Sequence, residues 1–147
     1  MLTDTEIAVG VHYLVHLDEQ DLGDFSSCEG LGVEVVLESR EEGGNNGFVW
    51  QFPTRLKYPN IKLTRPVSKQ TADKIINWVV AAVSGFSRGT GHIEAKTADG
   101  ETVAKYDLHD VIPVRWTGPS LNADQPKVLT ETLEIAHNGF ANTASKY

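Results

Sequence analysis

The chain has one cysteine, one methionine, no long apolar run and fewer basic than acidic residues. A lone cysteine, Cys28, excludes an internal disulfide, so stability must come from the core, and a reducing compartment is the default expectation. With 13 Lys and Arg against 20 Asp and Glu, the formal charge is −7, and no basic excess exists to displace counterions from nucleic acid. The opening residues, MLTDTEIAVG, lack a basic segment followed by an apolar run, which argues against Sec export. No stretch reaches transmembrane length, so no stable membrane anchor is expected. What is present is ordinary globular composition, 40% hydrophobic and 22% charged over 147 residues. That is enough for one domain across 1–147 that buries roughly 70% of its unfolded surface. The expectation is a soluble, acidic protein made in the cytoplasm.

One helix stands out. From Ser68 to Gly85, residues Ala72, Ile75, Ile76, Val79, Val80 and Val83 recur at helical spacing, with Ser68 as N-cap and Gly85 as the stop. Such a helix would be roughly 25 Å long. Elsewhere the periodicity is two. Val11 to Asp18 places Val11, Tyr13, Val15 and Leu17 on one face; Gly32 to Ser39 places Val33, Val35 and Leu37 inward. A short strand is expected around Phe25 and a turn at Gly30. Phe48 to Phe52 starts a return arm, and Pro53 and Pro59 confine parts of it to an edge or an irregular path. Asn60 to Arg65 alternates again. Asp99-Gly100 predicts a two-residue hairpin turn between His92–Ala98 and Glu101–Leu108, with Val111 to Trp116 as a further strand. Lys127 to His137 closes the series with Leu129, Leu133 and Ile135 on one face. The pattern predicts a mainly β fold: a small β-barrel or sandwich of about seven strands with one flanking α-helix and a long protruding β-hairpin. Ile75, Ile76, Val79, Val83 and Trp116 are the expected helix and core packing residues, 1–10 an N-terminal extension, and 141–147 a mobile tail.

Candidate chemistry is sparse. His12 and His16 on one strand lie about 13 Å apart, too far to share a zinc ion bound at about 2 Å. Cys28 has no local signature linking it to His109 or His137, and reads as a small core residue. The glycines at 43–47 and 89–91 lack the Lys-Ser/Thr of a phosphate loop. Glu38, Glu41, Glu42 and Glu131 read as a solvated charged edge, and Trp50, Trp78 and Trp116 as core or interface anchors. No catalytic constellation, metal site or cofactor site is indicated, and a ligand-binding barrel would need an apolar pocket with convergent polar groups. What does stand out is surplus sheet. Long strands leave edges to be protected, and the polar, Gly-rich tip within ESREEGGNNGF is poorly supported alone. Copies of the same chain would satisfy both.

Several segments carry a resemblance in their order and spacing. They are Glu29-Gly30-Leu31, the tip with Gly43-Gly44, and Tyr58-Pro59-Asn60-Ile61-Lys62-Leu63-Thr64-Arg65 before a helix containing Trp78. Ile112-Pro113-Val114-Arg115-Trp116-Thr117-Gly118-Pro119 and Glu131-Thr132-Leu133-Glu134-Ile135-Ala136-His137-Asn138-Gly139-Phe140 complete them. From about Tyr13 to Phe140 the chain resembles the inner tube proteins of contractile injection systems and the tail tube proteins of contractile-tailed phages. These share a fold with the haemolysin-coregulated protein of type VI secretion. Pro66, and Phe52-Pro53-Thr54-Arg55 in the hairpin return, depart from the family pattern.

The resemblance implies a structural subunit rather than an enzyme. Hexameric rings would stack into a hollow tube inside a contractile sheath, joined to baseplate, spike and terminal cap proteins, with effector cargo or phage DNA in the lumen. The long hairpin, about Val35 to Leu63, would reach a neighbouring ring, with Arg40, Glu41, Glu42, Gly43, Gly44, Asn45 and Asn46 at its tip as stacking contacts. The subunit would be assembled in the cytoplasm into a phage tail-like particle. The alternative is a type VI-like secreted ring that chaperones effectors.

Overall fold

The computed structural model describes residues 11–18, 20–40, 49–69, 73–85, 89–120 and 128–141. In chain order the elements are β1 (His12–Leu17), β2 (Gln20–Phe25), β3 (Ser27–Glu29), β4 (Glu34–Arg40), β5 (Trp50–Lys57), β6 (Ile61–Pro66), α1 (Lys74–Gly85), β7 (Gly89–Lys96), β8 (Thr102–Thr117) and β9 (Thr130–Ala136). Seven strands form one antiparallel sheet in the order β2-β1-β7-β8-β9-β6-β3, while β4 and β5 pair only with each other. The two edge strands of the large sheet, β2 and β3, are separated in sequence only by Ser26, whose amide donates to Thr64 O at 2.9 Å. The chain itself therefore spans the gap where the sheet curls towards closure, which gives a barrel-like body.

Alternation explains this body. Six strands bury one face: Val15 and Leu17 alternate in β1, Ile61 and Leu63 in β6, and Leu133 and Ile135 in β9, with Ile93 from β7; in β2 and β8 the buried pairs Leu22 and Phe25, and Leu108 and Val111, stand three apart across Gly23 and Asp110, both at positive φ. Helix α1 covers one side, packing on β8 and β2. Among the described residues it begins at Lys74, later than the sequence suggests, with Asn77 N donating to Asp73 O at 2.9 Å, and Ser68 lies in no helix or strand. Ala72 is outside the described residues.

The helix stripe is also narrower than expected. Ile75, Trp78 and Ala82 are buried and Val79 packs partly against the core, but Ile76 and Val83 are exposed, as is Val80. At 3.6 residues per turn, Ile76, Val80 and Val83 lie on the flank next to the contact line that Ile75, Trp78 and Ala82 define. Trp78 fills that contact and donates from Nε1 to Asp18 Oδ2 at 3.1 Å. Asp18, at φ 51, also donates its amide to Thr90 O at 3.0 Å, so one turn ties β1, β7 and the helix together. Trp116 is half-buried against the core.

Three further differences have clear causes. The predicted strands 101–108 and 111–116 form one strand, β8, of 16 residues, bent rather than broken at Asp110, which has φ 53. Its N-terminal part pairs with β7 and its C-terminal part with β9, so a single strand belongs to both halves of the barrel. The β7–β8 turn is a three-residue loop. Thr97 N bonds Glu101 O at 2.9 Å and Gly100 N bonds Thr97 O at 3.0 Å; Gly100 has φ 91, and the register slips between Ala95 and Lys96. This is the turn with a glycine bulge that a left-handed Gly permits.

Glu131 is not a solvated edge residue. It shares the inward phase of Leu133 and Ile135 and is 1% exposed. Arg65, inward with Ile61 and Leu63, donates from Nε to Glu131 Oε1 at 2.8 Å and from Nη1 to Leu22 O, and its guanidinium lies 4.5 Å from the Phe25 ring centre. Trp116 Nε1 donates to Glu131 Oε2 at 3.2 Å. A buried charge pair is tolerable because both carboxylate oxygens accept a bond and the guanidinium is held by Glu131, the Leu22 carbonyl and the Phe25 face among its partners.

Candidate assembly interface

Valines and leucines alternate through β4 as they would in a strand with one face on a core, yet none is buried. Val33, Val35 and Leu37 are each about half exposed, as are Val49, Trp50, Phe52 and Leu56 on the return arm. Every residue of β5 is exposed. The expectation that Val33, Val35 and Leu37 point into a core does not hold within this chain.

Register divides the ribbon into two chemically different faces. Val35 opposes Leu56 and Leu37 opposes Pro53, which makes one face mostly aliphatic. On the other, Glu34 opposes Lys57, Val36 opposes Arg55, Glu38 opposes Phe52 and Arg40 opposes Trp50. Trp50 and Phe52 stack with ring centres 6.4 Å apart, and Arg40 sits 3.6 Å from Glu38. Pro53 is accommodated where the register shifts after Val36, and the neighbouring Thr54 donates from Oγ1 to Val36 O at 2.8 Å. A two-stranded ribbon with apolar groups left exposed on both faces is weakly supported by itself, and each half-exposed Val or Leu stands to gain roughly 1 kcal/mol on burial.

Of the predicted stacking residues, Arg40 is the last of β4 and exposed. Glu41, Glu42, Gly43, Gly44, Asn45 and Asn46 lie outside the described residues, as do 1–10 and 142–147. The helix flank of Ile76, Val80 and Val83 forms a second exposed apolar strip, and Val103, Tyr106, Ile112 and Val114 of β8 are also exposed.

Ligand chemistry finds little footing. His12 bonds Asp24 Oδ1 at 2.8 Å from Nδ1, while His16 stacks on His92 with ring centres 5.2 Å apart. Those two rings, with Asp107 and His109, line an open depression of about 300 Å³. Among the described residues no group of three or more His, Cys, Asp or Glu is arranged to hold a metal ion. Burial, with Glu29 beside it, pushes the Cys28 thiol up to about 12, where it is inert as a nucleophile. No helix among the described residues is long and apolar enough to cross a membrane.

Comparison with known proteins gives the exposed ribbon its context. No curated protein sequence matches the chain. In fold it is similar to a chain of the anti-feeding prophage baseplate, with a TM-score of 0.74 at 19% identity, covering 95% of both chains. It is equally similar to a chain of the sheath–tube complex of PVC, an extracellular contractile injection system, in its extended state: TM-score 0.73, 17% identity, covering 93% of this chain and 90% of that one. The likeness to Hcp1 from Salmonella typhimurium is weaker, with a TM-score of 0.52 at 13% identity, covering 88% and 83%. Residues 9–141 match the sequence profile of the T4-like virus tail tube protein gp19. The chain belongs to that tail tube family, whose members are structural rather than catalytic.

Proposed function

We propose that this tube subunit closes with five copies of itself into rings, and that the rings stack into a hollow tube. A contractile sheath would surround the tube, with a baseplate and spike at one end and a cap at the other. Sheath shortening would drive the tube through a target envelope, with effector cargo or phage DNA inside. On this reading the subunit is a single tail-tube-like domain made and assembled in the cytoplasm. Membership of the tube family supports the reading. So does the likeness to chains from structures described as baseplate, sheath–tube and cap assemblies.

The observation that carries it is the unburied β4–β5 ribbon. Contacts that close between identical subunits give a ring, and a non-closing contact along the axis gives a filament. A ribbon with an aliphatic face and an aromatic, charged face is suited to lying between two neighbours. The tip residues Arg40, Glu41, Glu42, Gly43, Gly44, Asn45 and Asn46 are then the contacts between successive rings. The type VI-like secreted ring is the less favoured reading, because the fold similarity to Hcp chains is lower. Electron microscopy of the purified protein is the test. Six-fold rings or tubes are expected, and Leu37→Asp with Leu56→Asp should abolish them while leaving the circular dichroism spectrum of the chain intact. Rings formed normally by that double variant would remove the ribbon from the interface.

A further inference from the structure

Two segments far apart in sequence, Tyr58-Pro59-Asn60 and His137-Asn138-Gly139-Phe140, converge at the point where the ribbon leaves the barrel. Tyr58 is the first residue after β5. Its ring lies 5.4 Å from that of His137 and 5.8 Å, edge-on, from that of Phe140. His137 and Phe140 are themselves 5.1 Å apart, and Tyr106 of β8 is 6.3 Å from Phe140. Gly139, at φ 133, forms the seat: a Cβ there would stand 3.3 Å from both the ring and the hydroxyl oxygen of Tyr58. The seat cannot drift. His109 N bonds Gly139 O at 2.9 Å, Asn138 N bonds His109 O at 2.8 Å and Ala141 N bonds Asp107 O at 2.8 Å, which staples the segment along β8.

The incoming arm is pinned at the same level. Gly30, at φ 92, lies so close to the Asn60 carbonyl that a side chain would collide with it, and Leu31 packs on the core. Beyond these points the extensive contacts of β4 and β5 are with each other. The direction of the ribbon is thus decided at its root, and the lever is long. Eight residues of β5 span about 26 Å, so a rotation of roughly 10° at the root moves the far end by about 4.5 Å, close to one inter-strand spacing.

We infer that Tyr58, seated on Gly139 against the paired rings of His137 and Phe140, is the positioning residue that sets the angle at which the ribbon leaves the barrel. A ribbon free to swing at its root would have to be ordered during association, and that cost falls directly on affinity. The consequence for assembly rests on the reading under Proposed function; the consequence for the isolated chain does not.

The test separates the two. In a Cys28→Ser background, spin labels at Gln51→Cys on the ribbon and Asp99→Cys on the β7–β8 turn report the ribbon–barrel distance distribution in dilute, unassembled protein. Tyr58→Ala should broaden that distribution about twofold and lower the assembled fraction roughly tenfold at fixed concentration. Tyr58→Phe, which keeps the ring, should restore both. A Tyr58→Ala distribution as narrow as the parent's overturns the inference, as does a loss of assembly without broadening. If Tyr58→Ala does not fold, Gly139→Ala presses on the same ring from below. A shifted mean distance then supports the seat, and an unshifted one in a folded barrel overturns it. Broadening by Tyr58→Ala in a chain whose parent forms no rings would uphold the positioning role and refute the assembly reading.

Discussion

Removing the Glu131 carboxylate should be among the most damaging single changes available to this chain. The group is 1% exposed and its partner Arg65 2% exposed, so neither is screened by solvent. Glu131→Ala deletes the 2.8 Å bond from Arg65 and the 3.2 Å bond from Trp116, and takes away the carboxylate that balances a guanidinium buried inside an apolar barrel. Stranding one half of a buried pair costs about 3–5 kcal/mol. At roughly 3 °C per kcal/mol for a chain of this size, the midpoint of thermal unfolding should fall by about 10 °C. Arg65→Met with Glu131→Leu replaces both charges by apolar groups of similar volume and should recover at least half of the summed single losses. Urea unfolding of the unassembled chain, followed by tryptophan fluorescence and circular dichroism, measures the cycle; a coupling of about 2 kcal/mol or more is expected. Additive single losses, or a Glu131→Ala cost below about 1 kcal/mol, would refute the reasoning that this pair is buried and mutually dependent.

Acid should loosen the root of the ribbon through His137. Burial holds its imidazole below the ordinary value of 6.5, against a smaller opposing effect of its bond with Gly139, and its buried Nε2 meets no hydrogen-bond partner among the described residues. The unfolded chain therefore takes up the proton first. The stability this residue contributes is complete above about pH 6.5 and is lost as the pH falls towards the lowered folded value. His137→Phe should flatten that part of the stability–pH curve, and an unchanged slope would count against the assignment. Gly30 and Gly100, at nearly the same positive φ, offer a paired control. Gly100→Ala meets open space and should cost about 1 kcal/mol of backbone strain, whereas Gly30→Ala also strikes the Asn60 carbonyl and should cost about 3 kcal/mol or more. Equal losses in urea titrations would show that the arm at Gly30 has room to move.

The barrel was legible where one strand face meets the core of the same chain. Val15 and Leu17, Ile61 and Leu63, and Leu133 and Ile135 alternate as read and are buried as read. Parity also held a signal that charge obscured: Glu131 and Arg65 occupy the inward phase of β9 and β6, and two opposite charges in phase with two buried runs point to an internal pair. The ribbon shows the limit of periodicity. Val33, Val35 and Leu37 alternate as any half-buried strand does, because alternation records that a face is covered, not which molecule covers it. The helix stripe fails similarly at Ile76 and Val83, where apolar character extends beyond the intramolecular contact. The bend of β8 at Asp110 was invisible, since a polar residue at positive φ reads in sequence like a turn that ends a strand. Of the predicted stacking tip, Arg40 is exposed at the end of β4, and Glu41 to Asn46 fall outside the described residues.

Because β8 runs unbroken through both halves of the barrel, neither half has a private boundary along which it can peel away. Opening one side strips hydrogen bonds from a rib that the other side also needs, so hydrogen exchange in β7 and β9 should slow to a common, global rate. Such construction suits a tube driven as proposed above: under compression a wall of these subunits would either keep its shape or give way all at once.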